Sequence, residues 1–222
     1  MTTSSRAFEP IRDARPEDAA WGTMSWPPAP GVVLSGRSVV LTPCVPEADA
    51  PALFEALNRT EVWQHLAGRP CTPEAQLATL KSQLAEGRFV WIVRLAAEQA
   101  ALAAGSVVGT TSYLDVGVKD ARLEIGGTAY RPELWATRVN PEAKLLLLRF
   151  AFEQLGAGRV QLKTDVRNQR SQRAIARLGA RYEGTLRRYQ RRDDGTVRDT
   201  VLFSITAEEW PAVRDGLLAR LS

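Results

Sequence analysis

Residues 132–159, PELWATRVNPEAKLLLLRFAFEQLGAGR, constrain the fold more than any other stretch of the chain. Asn140 reads as an N-cap, Pro141 suits the first helical position, and Glu142 lies at the positive end of the helix dipole. From Ala143 to Leu155 the pattern is apolar on most sides. Leu145, Leu148, Phe152 and Leu155 make one stripe, widened by Leu146, Leu147, Phe150 and Ala151, while only Glu142, Arg149 and Glu153 form a polar one. Such a helix must pack deep against a sheet, and Gly156 and Gly158 stop it. Residues 123–130 before it and 160–164 after it read as strands. The unit is strand, turn, helix, strand, with a helix N-terminus aimed out of the sheet. Its first-turn amides lack internal partners and the dipole favours negative charge, so an anionic group is at home there.

The remaining elements follow from local signals. Residues 38–42 read as a strand and 46–57 as a helix. Thr72, Pro73 and Glu74 start a second helix that runs to about residue 86, where Gly87 ends it. Strands are expected over 88–95, 106–115 and 122–130. Gly126 and Gly127 inside the last of these are costly unless the backbone bulges or something approaches closely. Asn168 caps a helix ending at Leu178–Gly179. Strands over 181–192 and 196–206 flank the turn Asp193-Asp194-Gly195, and Thr206 with Glu209 forms a capping box for a last helix over 207–221. Residues 1–36 are a separate zone. Pro10, Pro16, Pro27, Pro28 and Pro30 interrupt regular structure, whereas Trp21 and Trp26 are apolar enough to dock, either on the domain formed by residues 37–222 or on a second subunit in a homodimer.

Composition narrows the function. At 222 residues and 45% hydrophobic content, the chain can bury a sizeable core. The net charge of +4 conceals an uneven distribution: residues 158–192 hold eleven Arg or Lys against Asp165 and Glu183. That asymmetry points either to a solvated face or to an anionic ligand. Cys44 and Cys71 lack metal-binding spacing and read as free thiols. His65 is the single histidine, a loop or structural residue, which leaves no multi-histidine metal site. No apolar run approaches the ~20 residues of a membrane span, and no signal peptide is recognisable. A cytoplasmic protein is expected.

A longer pattern joins these parts. Thr128-x-x-x-Pro132-x-x-Trp135-x-Thr137-x-x-Asn140-x-Glu142-Ala143-Lys144-Leu145-Leu146 resembles the acyl-CoA segment of the GNAT superfamily of N-acyltransferases, in particular the RimJ/RimL branch, which acetylates protein N-termini among other amines. Asn168-x-x-Ser171, Leu178-Gly179-Ala180 and Glu183-Gly184-Thr185-Leu186-Arg187 continue the resemblance in order, and together these cover residues 39–218. One departure is Arg138, which stands where the family turn usually carries glycine. The resemblance implies an α+β fold: a mixed, mostly antiparallel central sheet, splayed at a bulged strand, with helices on both faces. It implies acetyl-CoA or another acyl-CoA as co-substrate, an amine acceptor and no metal. The implied cofactor-binding residues are Thr128, Ala129, Tyr130, Trp135, Thr137, Arg138, Val139, Asn140, Lys144, Asn168 and Arg173. Arg138 would reach the pyrophosphate with its own charge. The loop over residues 59–71, with Trp63, His65 and Leu66, would shape the acceptor pocket.

Acyl transfer to an amine needs a base for the ammonium proton and an acid for the departing thiolate. Glu124 is the positional match to a frequent family base. Ser171 matches the family serine as acid, with Tyr182 and Tyr189 as rivals. Strand amides near Thr128 to Tyr130 would polarise the carbonyl. Two other readings remain at this stage. One is a CoA-sensing module without catalysis, because the turn lacks its glycine. The other is a nucleic-acid binder using Arg187, Arg188, Tyr189, Gln190, Arg191 and Arg192, although strand alternation splits that patch between two faces.

Overall fold

Alternating apolar positions along eight short segments build a single sheet. In this computed structural model, residues 9–13 and 22–222 are described. In chain order the elements are β1 (Leu34–Ser35), β2 (Val39–Pro43), α1 (Pro46–Leu57), α2 (Thr60–Trp63), α3 (Pro73–Ala85), β3 (Phe89–Leu95), β4 (Val107–Gly117), β5 (Arg122–Tyr130), α4 (Val139–Arg149), β6 (Arg159–Asp165), α5 (Gln169–Ala176), β7 (Arg181–Arg191), β8 (Val197–Thr206) and α6 (Trp210–Leu221). Two are additions to the sequence-based order. β1 has two residues and α2 one turn, too short for a periodic signal.

The strands lie in the order β1-β2-β3-β4-β5-β6-β8-β7, and every neighbouring pair is antiparallel except β5 with β6. Helices cover both faces. α4 packs over a core that includes Trp91, Tyr113, Leu123, Leu147 and Leu148. α1 and α3 bury Leu53, Leu57 and Leu80 against Val90, Ile92 and Ala129. Neighbours such as Trp91 and Ile92 therefore serve opposite cores, as the two-residue period of a strand requires. The α+β fold with a mixed, mostly antiparallel sheet, expected from the sequence, is the fold observed.

The start of α4 departs from expectation. Asn140 is not the cap; the helix already begins at Val139, after Arg138. A 3-10 turn over Pro132–Leu134 and a left-handed Ala136 (φ +61°) bring Thr137 to the helix end instead. There its hydroxyl donates to the Leu134 carbonyl at 2.7 Å and accepts the Val139 amide at 3.3 Å. Glu142 does more than face a dipole. Its buried carboxylate accepts the amides of Arg37, Ser38 and Val39 at 2.9, 2.6 and 2.9 Å, fastening the start of β2 to α4. Gly36 makes room for this, because a Cβ there would come within 2.6 Å of the Glu142 carboxyl carbon. Beyond Arg149 the expected single helix widens into a π-helical turn, Phe150–Gln154. The change of pitch sets Phe150 against Trp91 and stacks Phe152 on Trp210 at 5.4 Å.

Other terminal signals are observed as read or nearly so. Thr72 caps α3 through the Ala75 amide at 3.1 Å. At α6 only half of the capping box forms, with the Thr206 amide donating to Glu209, because a turn over residues 207–209 delays the helix to Trp210. In the N-terminal arm, Met24 is buried and Trp26 meets Phe89 and Tyr113 edge-on at 6.1 and 6.2 Å. Trp21, the other tryptophan expected to dock, and Pro16 lie outside the described residues.

Removing the Glu142 carboxylate strands three amides at once. Glu142→Ala should lower unfolding free energy by about 3 kcal/mol or more, since hydrogen bonds to a charged group contribute about 1.5–3 kcal/mol each and are not additive. Glu142→Gln, which keeps an acceptor oxygen, should lose less. Urea titration of both variants measures the difference, and equal midpoints for Ala and wild type would contradict this role.

Candidate active site

The β5–β6 ladder pairs only Arg122 with Arg159, Leu123 with Val160 and Glu124 with Gln161. Beyond Glu124 the two strands part, although β5 continues to Tyr130 and β6 to Asp165. The cause lies in the glycine pair. Gly126 faces Ser112 and Ala129 faces Thr110, so Gly127 and Thr128 of β5 oppose the single residue Thr111 of β4. Gly127 takes φ +57°, a conformation that costs an L-residue about 1–2 kcal/mol. The bulge turns β5 away from β6 and opens a cavity of about 230 Å³ between them.

Lys144 fastens that bulge from behind. Its ammonium, buried beneath α4, donates to Thr128 Oγ1 at 2.7 Å and Thr111 Oγ1 at 3.2 Å, and the two hydroxyls are themselves 2.8 Å apart. Among the described residues no carboxylate lies within salt-bridge distance of it. Burial pulls its pKa down to about 7.

Most of the residues expected at the cofactor site converge on this cavity: Thr128, Ala129, Tyr130, Trp135, Asn140, Lys144 and Asn168 line it, together with Ser171, the expected acid. Asn168 also caps α5, its Oδ1 accepting the Ser171 amide at 2.9 Å. The buried hydroxyl of Tyr130 has no hydrogen-bond partner among the described residues. Five other expected residues are placed elsewhere. Val139 is fully buried in the core, and Thr137 is occupied at the helix start. Arg138 donates to the carbonyls of Leu221 and Ser222 at 2.9 and 2.8 Å, tying the start of α4 to the end of α6 instead of reaching into the cavity. Arg173 is exposed and reaches Gln169, because the helical turn rotates it away from the wedge. Glu124 sits at the last paired rung, in a buried ion pair with Lys163 at 2.7 Å and a hydrogen bond from Gln161 at 3.2 Å. It is Lys163 that lines the cavity.

Two contributors go beyond the sequence reading, which did not single out Arg170 and placed His65 only in the loop expected to shape the acceptor pocket. Arg170 of α5 lies over the Trp135 ring at 3.5 Å, bridging the two walls of the wedge. Its only sequence signal was its place inside the Asn168-x-x-Ser171 motif. The other is His65. A second cavity, of about 680 Å³, lies between the loop bearing α2, the end of β6 and the tip of the β7–β8 hairpin. The Gly68 amide donates to Asp193 at 2.8 Å and closes loop against hairpin. His65, Leu66, Asp165 and Arg198 line both cavities and form the seam between them. Desolvation holds the imidazole below its ordinary pKa, an effect that Asp165 partly opposes and that Arg170, Arg192 and Arg167 reinforce. The net effect favours the neutral imidazole.

A family model described as an acetyltransferase (GNAT) domain matches residues 38–181. The chain belongs to the GNAT acetyltransferases. Within that family, a T. thermophilus protein of known structure, described as a putative acetyltransferase, is 41% identical, with a TM-score of 0.77 over 89% of this chain and 100% of that one. A GCN5-related N-acetyltransferase from Brucella melitensis is 25% identical, with a TM-score of 0.79 over 91% of this chain and 90% of that one. The likeness to Mycobacterium smegmatis RimJ, solved with CoA-disulfide, is one of fold: 23% identity and a TM-score of 0.67 over 86% and 93% of the two chains. Among curated proteins, the uncharacterized N-acetyltransferase YoaA of Bacillus subtilis (strain 168) is 30% identical over 99 residues, 45% of this chain. The match spans 55% of YoaA, little more than half its length. In this GNAT chain a buried lysine stands behind the bulge that opens the wedge.

Lys144 makes stability depend on pH in a defined direction. The unfolded chain keeps this proton to the ordinary lysine value of about 10.5, whereas the folded chain loses it near 7. Between those values the unfolded state binds more protons, so stability from this residue rises with pH, and below about 7 the full cost of a buried charge is present. Lys144→Met leaves the Thr111–Thr128 pair intact and should be more stable than wild type at pH 6 by roughly 1–4 kcal/mol. The margin should shrink towards pH 10. Thermal melts across that range would refute the assignment by showing a margin that does not change.

Proposed function

We propose that the protein is an acyl-CoA-dependent N-acetyltransferase that joins an acetyl group to a primary amine by direct attack with both partners bound. The parting of β5 and β6 beside the N-terminus of α4 is the observation that carries this reading. It leaves strand amides of residues 126–130 unpaired on the β6 side, first-turn amides at Asn140, and polar groups of Tyr130, Asn168 and Ser171 along one narrow cavity. Such a set suits an elongated ligand with amide and phosphate groups. Acyl-CoA supplies the activated thioester. The chain supplies position, a strand amide near Thr128 to Tyr130 for the carbonyl oxygen, and a Ser171 hydroxyl that can hydrogen-bond the departing sulfur. Family membership and the CoA-disulfide bound to the RimJ relative support the same assignment.

For the base, the seam favours His65. A neutral imidazole at the junction of two cavities can accept the proton that the amine must lose, whereas Glu124 is already engaged by Lys163. The described end of the N-terminal arm, with Met24 buried and Trp26 against Phe89 and Tyr113, braces the transferase domain over residues 37–222. The unpaired thiols of Cys44 and Cys71 suit a cytoplasmic setting.

The roles separate by kinetics. His65→Gln should lower kcat by about 10²- to 10⁴-fold and remove the acid limb of the pH profile, leaving acetyl-CoA affinity nearly intact. Should Glu124 be the base instead, Glu124→Gln would produce that loss, about 10- to 1000-fold, and His65→Gln would not. Calorimetry with acetyl-CoA tests the whole reading, which fails if the wild type does not bind it.

A further inference from the structure

The larger cavity has a charge balance that an acyl donor in the wedge does not explain. Its three carboxylates, Asp165, Asp193 and Asp194, are already engaged. Asp165 receives a two-pronged ion pair from Arg192 at 2.6 and 2.8 Å, and the Arg167 amide at 2.8 Å. Asp193 accepts the Gly68 amide, and Asp194 the amide and hydroxyl of Thr196 at 2.8 and 2.6 Å. Arg198 is in the opposite condition. It is half-buried, its Nε donates to Thr200 Oγ1 at 3.1 Å, and among the described residues no carboxylate lies within salt-bridge distance of it. Desolvation pulls its pKa below the ordinary value, and the charge of Asp165 only partly offsets that.

A half-buried guanidinium with free donors is satisfied best by an anion that accepts two parallel bonds, which a carboxylate does. Position narrows the choice. Arg198 belongs to the four-residue seam, together with His65, so an anion held there sits at the junction of the two cavities. Trp63 and Leu66 in the same cavity offer an apolar wall for a side chain. A polyamine would face four arginines and find no free carboxylate.

We propose that the acceptor is a small primary amine bearing a carboxylate close to its nitrogen, an amino acid being the simplest member, with Arg198 holding the carboxylate and the amine directed to the seam at His65. This rests on the acyl-transfer reading. In the transfer one C–N bond forms and the thioester C–S bond breaks. The amine's proton passes to His65, and the thiolate takes a proton from solvent.

Matched acceptors test the proposal: a set of L-amino acids, their carboxamides and the corresponding decarboxylated amines, with release of CoA thiol followed for the full chain. The wild type should favour each acid over its amide by about 10- to 100-fold in kcat/KM, the range set by a charge-assisted bond. Arg198→Gln should erase that preference mainly through KM, and Arg198→Lys should keep part of it. Equal rates on acids and amides, or a preference that survives Arg198→Gln, would overturn the proposal. So would an enzyme that binds acetyl-CoA by calorimetry yet acylates no carboxylate-bearing amine. Failure to bind acetyl-CoA at all would instead remove the acyl-transfer reading, and this inference with it. If Arg198→Gln does not fold, the acid-to-amide ratio of the wild type decides alone.

Discussion

The molecule depends on one unmade ladder. Two parallel strands that share three rungs would normally continue to pair, because an unpaired backbone donor or acceptor is costly wherever water is kept out. Here β5 leaves β6 after Glu124, and the bulge at Gly127 and Thr128 enforces the departure. β6 pairs with β8 along its whole length, which satisfies its groups on that edge alone. The unpaired groups of β5 therefore face a cavity instead of a strand. A sheet interrupted in this way is a binding device, since main-chain groups held in strand geometry can receive an extended ligand as a neighbouring strand would.

Keeping such a gap open requires support from behind, and α4 provides it at two levels. At its first turn Glu142 collects three amides of the chain entering β2, so the helix is fixed to the far edge of the sheet. Two residues on, Lys144 reaches the bulge itself through two threonine hydroxyls. Both side chains are charged and buried, both act on backbone geometry, and neither is explained by helix propensity. The lysine carries a desolvation cost that an apolar residue would avoid. Such costs are characteristic of residues whose position serves a site more than the stability of the fold.

Charge in the second half of the chain is organised in a similar way. The run of basic residues over 158–192 divides into separate assignments. Arg159 is clamped by Glu183, Arg192 by Asp165, and Arg170 lies on Trp135. Among the cavity-lining arginines Arg167 also pairs with Asp194, whereas Arg191 and Arg198 have neither a carboxylate nor a ring partner among the described residues; of these two Arg198 is the half-buried one, and it lies outside the run with no distinguishing feature in one dimension. A cluster that suited either a solvated face or an anion site thus resolves largely into fixed pairs around Arg198, a half-buried guanidinium without a carboxylate partner among the described residues.

The sequence by itself determined the element order, the sheet and the helices on its two faces, because hydrophobic period, proline, glycine and capping residues are local signals. Thr72 before α3, Asn168 before α5 and the glycine pair in β5 each acted where they stand. Most of the wedge was legible through the family resemblance, because its motifs over residues 128–144 and 168–171 supply the walls. Only the tertiary structure decided the rest. Thr137 displaced Asn140 as the group at the start of α4, because a left-handed Ala136 redirected the turn. Arg138 went to the end of α6, 83 residues away, and Glu124 to Lys163 on the next strand. His65 and Arg198 meet at one seam although 133 positions separate them. Local patterning specifies which way a backbone runs; which side chain finds which partner depends on distances that exist only once the sheet has closed.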